Sequence, residues 1–338
     1  VSYQEIHRRS IEDPSGFWGE MAEALHWYTK WDRVLDDTNA PFYRWFVGGK
    51  TNLCYNAVDR HALGAGRGTA ALIWESAETG ESRTLTYHEL YREVNRLAGV
   101  LRNLGVRRGD RVIIYMPMVP EAIIGMLACV RLGAIHSVVF GGFSVGSLAS
   151  RIDDAAPTLI LTADASMRKG IPVKLKEIVD AALDAATVDS VRDVLVLRRE
   201  IVDCAMKKGR DLDWAEQLTE RGERYVEPEP LDSTAPSYIL YTSGTTGKPK
   251  GVVRDTGGYM VALHASMGQV YNVGPGDVYW STSDIGWVVG HSYIVYAPLL
   301  KGVPTLVYEG RPDYPDPGIW WRIIEKYGVT CVFSAPTA

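Results

Sequence analysis

The 338-residue sequence is short of cysteine, of long apolar runs and of charge imbalance. Its four cysteines, Cys54, Cys129, Cys204 and Cys331, lie far apart, with no CxxC pair and no neighbouring histidine pattern. That spacing does not resemble a secreted disulfide framework or a metal-ligand set, and it predicts reduced, mostly buried thiols. No apolar stretch reaches the roughly 20 residues of a membrane-spanning helix, and the N-terminus lacks the charged-then-apolar order of a signal segment. Lys and Arg total 36 against 41 Asp and Glu, a net charge of −5. Such a balance argues against a nucleic-acid or membrane-surface partner, so basic pairs such as Arg107-Arg108 and Lys207-Lys208 read as solvated faces. There is no repeat of solenoid period and no low-complexity tract. A cytoplasmic protein is expected, or a mitochondrial-matrix one if the source is eukaryotic.

What is present is a 46% hydrophobic chain, enough to bury a sizeable core and to hold more than one domain. Residues 1 to about 60 are rich in aromatics, among them Trp18, Trp27, Trp31, Trp45 and Phe46. They predict an irregular segment whose rings pack onto a larger domain. From Ala70 onward strands alternate with helices. Short strands are predicted at 71–74, 111–116, 135–140, 158–162, 194–197, 278–282, 304–308 and 330–334. Thr86-Tyr87-His88-Glu89 has the spacing of a capping box for a helix ending near Gly105. Alternation of this kind predicts an α/β fold built on doubly wound, parallel sheets. The polar, three-proline stretch 220–236 reads as a connector between two α/β layers.

The stretch Ser237–Tyr259, SYILYTSGTTGKPKGVVRDTGGY, is the strongest chemical signal. A β-type run opens into a loop offering the hydroxyls of Thr242, Ser243, Thr245 and Thr246. Gly244 and Gly247 let backbone N–H groups turn toward one anion, and Lys248 and Lys250 supply positive charge. This is the chemistry of a polyphosphate cradle. It is not the common P-loop, which needs a hydroxyl directly after its lysine and a helix opening there. Here Pro249 follows Lys248 and β-type residues resume, so hydroxyls, amides and lysines must hold the anion without a helix dipole.

TSGTTGKPKG resembles the phosphate-binding signature of the adenylate-forming superfamily, and PFYRWFVGGKTNLCYNAVDRH is similar to the N-terminal segment of short-chain acyl-CoA synthetases. The resemblance implies two stacked, mostly parallel sheets, incomplete here, with residues 1–60 as the N-terminal segment and 61–338 as a truncated AMP-binding domain. It also implies the use of ATP, Mg2+ and coenzyme A on a short-chain carboxylate. A carboxylate is a poor electrophile, and making it a mixed anhydride with AMP requires the departing pyrophosphate's charge to be stabilised. In the family, SAPTA lies inside the large N-terminal domain. The adenine motif, the ribose-binding aspartate, the hinge and the C-terminal domain with its catalytic lysine therefore have no counterpart here. The 338 residues alone are expected to be inactive or impaired, with no catalytic residue assigned.

Ser283 to Tyr293, SDIGWVVGHSY, follows a predicted strand, where open α/β sheets bind ligands. Taken alone, Trp287 and His291 read as core residues. The resemblance reverses this, because GWVVGHSY is similar to the segment lining the acyl pocket in acetyl- and propionyl-CoA synthetases. It implies that Trp287, Val288 and Val289 contact the acyl group and that Val289 also lies near coenzyme A. Acetate enzymes typically carry Thr where Val289 stands, and propionate enzymes tend to carry RDTGGY, found here at Arg254–Tyr259. Both cues favour propionate, with acetate as the alternative, since one methylene in an apolar pocket is worth only about 1–3 kcal/mol. By the same resemblance Arg168 meets the nucleotide end of coenzyme A, with Lys169 beside it. Asp313 falls where relatives often carry Asn near the pantetheine, although a carboxylate there accepts hydrogen bonds without donating them.

Overall fold

The computed structural model describes residues 2–242 and 249–335. A seven-stranded sheet runs in the order Asp211–Asp213, Asp193–Leu197, Leu159–Ala163, Arg111–Tyr115, Ile135–Val138, Pro236–Thr242, Lys250–Asp255. Every neighbouring pair is parallel except the last, which is an antiparallel hairpin. A five-stranded sheet has the order Cys331–Phe333, Tyr279–Ser281, Thr305–Glu309, Ala70–Ser76, Ser82–Thr86, again parallel except at its final pair.

Strand residues alternate between two cores, as the two-residue period of a pleated strand requires. In Arg111–Tyr115, Val112 and Ile114 point into the large central core, while Ile113 and Tyr115 join a second core under helices Val145–Ala155 and Leu175–Ala185. In the other sheet Leu72, Trp74 and Val307 face the central core, whereas Ile73, Leu306 and Trp280 pack outward against helix Ile319–Tyr327. Both faces of the inner strands are thus buried, which is why those strands read as nearly continuous apolar runs, whereas the edge strands Lys250–Asp255 and Ser82–Thr86 stay largely exposed. Between the sheets, helix Tyr87–Asn103 lies on the five-stranded sheet and helix Pro120–Arg131 on the seven-stranded one, each packed on the other. The expected doubly wound, mostly parallel architecture is present. The Thr86–Glu89 capping box forms in full, and Gly105 takes the left-handed φ of +88° just past the helix end.

Three local expectations need correction. The N-terminal segment is not irregular, since it begins with helices Tyr3–Glu12 and Pro14–Ala22. Their signal was in the sequence: Ser2 and Asp13 cap them, and Pro14 occupies the first position of the second, where its missing N–H is harmless. The aromatic packing does occur, with Trp27, Trp31 and Phe46 in mutual contact and Trp45 against Trp18, but Phe42 and Tyr43 are exposed. The proline-bearing stretch 220–236 does not pass from one sheet to the other. It leaves helix Trp214–Arg221 and re-enters the same seven-stranded sheet at Pro236, pairing Leu231 with Thr51 on the way. As for the thiols, all four are free, yet only Cys54 and Cys129 are fully buried.

Candidate active site

The hairpin that carries the phosphate candidates lies at the edge of the seven-stranded sheet. Thr242 ends its first strand directly opposite Lys250, which begins the second, and both side chains are exposed. The two residues therefore flank the mouth of the bend, while Ser243, Gly244, Thr245, Thr246, Gly247 and Lys248 lie outside the described residues. Strand, not helix, follows the bend, as expected from Pro249 and the β-type run.

One step back along the strand, a stack of side chains joins the foot of this hairpin to the GWVVG segment. Tyr241 donates its hydroxyl to Asp154 at 2.6 Å. The Arg151 guanidinium lies between two rings, 5.4 Å from the centre of Tyr241 and 4.6 Å from that of Phe143. Phe143 meets Trp287 edge-on at 6.0 Å, and Phe140 packs on both. Arg151, Phe140 and Phe143 carry no motif of their own. The one hint was the Gly141-Gly142 turn ahead of the Ser144 cap, which marks a sharp change of direction at a strand's end.

The GWVVG segment is held by close backbone approach. Trp287 N–H donates to Asp284 O at 3.0 Å and Gly286 N–H to Asp284 Oδ1 at 2.7 Å, closing a tight turn. A Cβ on Gly286 would stand 2.8 Å from Phe140 Cα, and one on Gly290 only 1.9 Å from Asp284 O. Both glycines are therefore required by contact. Trp287 and Val288 remain 46% and 43% exposed, a surface available to a ligand, with Val289 partly buried behind them. A helix starts at Val288 and passes through a π-helical stretch, His291–Tyr296, a distortion often found at functional sites. The second propionate cue lies elsewhere: Arg254, Asp255 and Gly258 line a pocket with Trp18 and Trp45 of the N-terminal segment.

His291 is fully buried, and its Nδ1–H donates to Trp287 O at 3.2 Å. It stacks on His136, whose Nε2 shares a 2.6 Å hydrogen bond with the Tyr296 hydroxyl. Burial pushes His291 down to about 4, and burial together with the neighbouring His291 pushes His136 well below its ordinary value. His61 and His264 are likewise held near 4, chiefly by burial. These four stay neutral in the folded protein, whereas in the unfolded chain they titrate at about 6.5. Their contribution is complete above that value and is lost as the pH falls toward about 4, because the unfolded state then binds more protons. Asp284, pushed up to about 6 by burial, acts in the opposite sense, since its share is lost as the pH rises through that value. The four imidazoles, together with His26, which burial also lowers, outnumber the carboxyls that burial raises, Asp59, Asp193, Asp255 and Asp284, so the unfolding midpoint is expected to drop between about pH 6.5 and 4.5. His136→Gln should flatten that drop, and equal slopes in thermal melts of the two proteins would contradict the account.

Between the sheets lies a cleft of about 380 Å3, lined by the strand-end segments 116–118, 140–143, 281–284 and 308–312, with Glu78 and Arg168. Arg168 is exposed at its rim, on the short hairpin formed by Ser166–Arg168 and Ile171–Val173. Lys169 and Asp313, 144 residues apart, form an ion pair with each other at 2.8 Å. Hydrogen bonds from Lys169 and Arg311 push the Asp313 carboxyl down to about 2. Lys169 itself sits at a left-handed φ of +52°, its N–H bonded to Glu78. Behind it, Arg199, two residues past the end of the strand Asp193–Leu197, and Glu309 from the five-stranded sheet make a two-point ion pair at 2.6 and 2.8 Å. Among the described residues, no three His, Cys, Asp or Glu side chains converge on an ion, and no helix is long and apolar enough to cross a membrane.

A family model described as "AMP-binding enzyme" matches residues 58–338, and one described as "Acetyl-coenzyme A synthetase N-terminus" matches residues 3–57. The chain is 52% identical to a propionate–CoA ligase of Escherichia coli, over 100% of this chain and 54% of that protein. It is 50% identical to an acetyl-coenzyme A synthetase of Pyrobaculum aerophilum, over 100% of this chain and 51% of that one. In structure it superposes on an acetoacetyl-CoA synthetase from Streptomyces lividans with a TM-score of 0.89 at 29% identity, covering 99% of this chain and 50% of the other. The chain thus spans about half the length of the curated relatives it matches. With most of its length matched from Val58 onward, and with a hydroxyl- and lysine-bearing hairpin at the edge of a doubly wound sheet, the chain belongs to the AMP-binding enzyme family.

Proposed function

We propose that the chain is part of an AMP-forming short-chain acyl-CoA synthetase that acts on propionate. In the first half-reaction the carboxylate attacks the α-phosphate of ATP, and the bend from Thr242 to Lys250 holds the leaving pyrophosphate. Magnesium would arrive on the nucleotide's phosphates, keeping several of its waters. In the second half-reaction the thiol of coenzyme A attacks the acyl-adenylate. The acyl group would rest on Trp287, Val288 and Val289, and coenzyme A would run along the cleft from Arg168 toward Val289, past the Lys169–Asp313 pair. The partners are small molecules, with neither nucleic acid nor membrane among them.

The observation that carries this reading is the stack Tyr241–Arg151–Phe143–Trp287, which fixes the foot of the phosphate hairpin relative to the exposed acyl wall. A carboxylate-activating enzyme needs those two surfaces at one fixed spacing, because misplacing reacting groups by ~1 Å costs about 100-fold. Propionate is favoured over acetate by Val289 alone, since the Arg254–Gly258 stretch packs on the N-terminal segment. The similar relatives bear both substrate names.

The test is ATP–pyrophosphate exchange by the full-length protein with acetate, propionate, butyrate and valerate. Propionate is expected to give the highest kcat/KM, about 10-fold above acetate, as one methylene allows. An optimum at acetate would overturn the substrate assignment, and exchange with none of the four would overturn the function.

A further inference from the structure

We propose that Asp284 is the general base of the thioester-forming step, taking the proton from the attacking thiol. The proposal rests on the acyl-CoA synthetase reading above and assigns a residue within it. Three carboxylates, those of Glu78, Asp284 and Glu309, line the cleft between the sheets. Two are committed. Glu309 is held by Arg199 through both oxygens, and Glu78 accepts the N–H groups of Lys169 and Gly170 at 2.8 Å each. Asp284 is held through Oδ1 alone, by Gly286 N–H at 2.7 Å, and among the described residues no donor meets its Oδ2.

Its position is equally particular. The Asp284 turn leads directly into Trp287–Val289, the proposed acyl wall, and is clamped there by Phe140 on one side and Gly290 on the other. The same cleft reaches Arg168, the proposed coenzyme A contact. A thiol travelling from that rim toward an acyl group on the wall passes the free oxygen. The charged groups lining the cleft around it are Glu78, Arg168, Glu309 and Arg311. Burial pushes the Asp284 carboxyl up to about 6, against the hydrogen bond from Gly286, so it is ionised at neutral pH yet a stronger base than an ordinary carboxylate.

The step balances as follows. The sulfur–carbon bond forms at the acyl carbon as the S–H proton passes to Asp284 Oδ2. The bond between the acyl carbon and the phosphate oxygen then breaks, AMP leaves with the electron pair, and the carboxyl returns its proton to water.

The experiment measures the two half-reactions separately in the full-length protein. Asp284→Asn keeps Oδ1 as acceptor for Gly286 and removes only the base. Propionate-dependent ATP–pyrophosphate exchange is expected to fall less than about 3-fold, while thioester formation from supplied propionyl-adenylate and coenzyme A falls about 100-fold or more. Thioester formation by the unsubstituted protein should lose rate as the pH drops through about 6, a limb that Asp284→Asn lacks and Asp284→Glu partly restores. Thioester formation within about 5-fold of the parent, with the acid limb intact, would overturn the assignment. Equal losses in both half-reactions would also overturn it and leave Asp284 a purely structural turn residue. Absence of exchange in the unsubstituted protein would instead fail the functional reading beneath it, so the two failures are told apart.

Discussion

Gly290→Ala is expected to lower acid-dependent ATP–pyrophosphate exchange by about 100-fold or more in the full-length protein, with only a modest fall in thermal midpoint. Two effects oppose each other. Gly290 has φ −63° and ψ −49°, ordinary right-handed helix, where alanine is favoured over glycine by about 1 kcal/mol. Propensity alone therefore forecasts a more stable protein. The added Cβ, however, would stand 1.9 Å from Asp284 O and 2.3 Å from Asp284 C, both backbone atoms that no rotamer change can move aside. Relief requires the Asp284 turn to shift by more than an ångström, at about 1–3 kcal/mol of overpacking strain. That shift displaces Trp287, the proposed acyl contact, and sub-ångström placement of the acid is what carboxylate activation would depend on. Sterics should win over propensity. A variant with parental exchange and a raised midpoint would show that the turn yields without consequence.

The second large effect concerns folding. Arg131→Ala is expected to destabilise the protein by about 3–5 kcal/mol, the range for removing one partner of a buried ion pair. The Arg131 side chain is inaccessible to solvent and meets Asp59 through two hydrogen bonds, at 2.8 and 3.0 Å. Its Nε–H also donates to Val226 O at 2.6 Å, and the rings of Tyr91 and Tyr225 flank the guanidinium. One side chain thus joins the end of a central helix, the π-turn at Tyr55–Asp59 and the proline-bearing connector. Alanine would leave a buried carboxylate without its counter-charge and a buried carbonyl without a donor. Arg8→Ala provides the contrast. It breaks the Arg8–Glu12 pair, whose partners are both 59% exposed, and should change stability by less than about 1 kcal/mol. Urea unfolding of the two variants side by side checks the comparison, and similar midpoints would refute it. Adding Asp59→Leu to Arg131→Ala should restore part of the loss, since it removes the stranded charge.

The features legible in the sequence are those written in short stretches of chain. The Thr86–Glu89 capping box, the alternating strands and the hairpin after Tyr241 each depend on a handful of neighbouring residues whose conformations obey local sterics. The parallel sense of the strands from Arg111 to Leu197 followed from the same alternation, because parallel neighbours require helical crossovers, whereas their order in the sheet did not. The two N-terminal helices were legible too, through the caps at Ser2 and Asp13-Pro14, although these lie in a stretch whose composition is dominated by aromatic rings.

Other features were settled only when distant segments met. Nothing near Arg131 in sequence announces Asp59, nor does anything near Lys169 announce Asp313, because an ion pair is specified by where two backbones arrive. The connector at 220–236 has the composition of a boundary, yet the chain rejoins the sheet it left, and composition carries no information about destination. Arg151 illustrates the same limit: as one of many surface-type residues on a helix it is unremarked, and only the fold sets it between Tyr241 and Phe143. By itself the sequence determined the family and the architecture, since motif residue types and apolar periodicity are local properties. The tertiary structure alone decided which carboxylate in the cleft is free and what holds the Trp287–Val289 segment in place. Those depend on distances between atoms far apart in the chain, and packing, not pattern, fixes such distances.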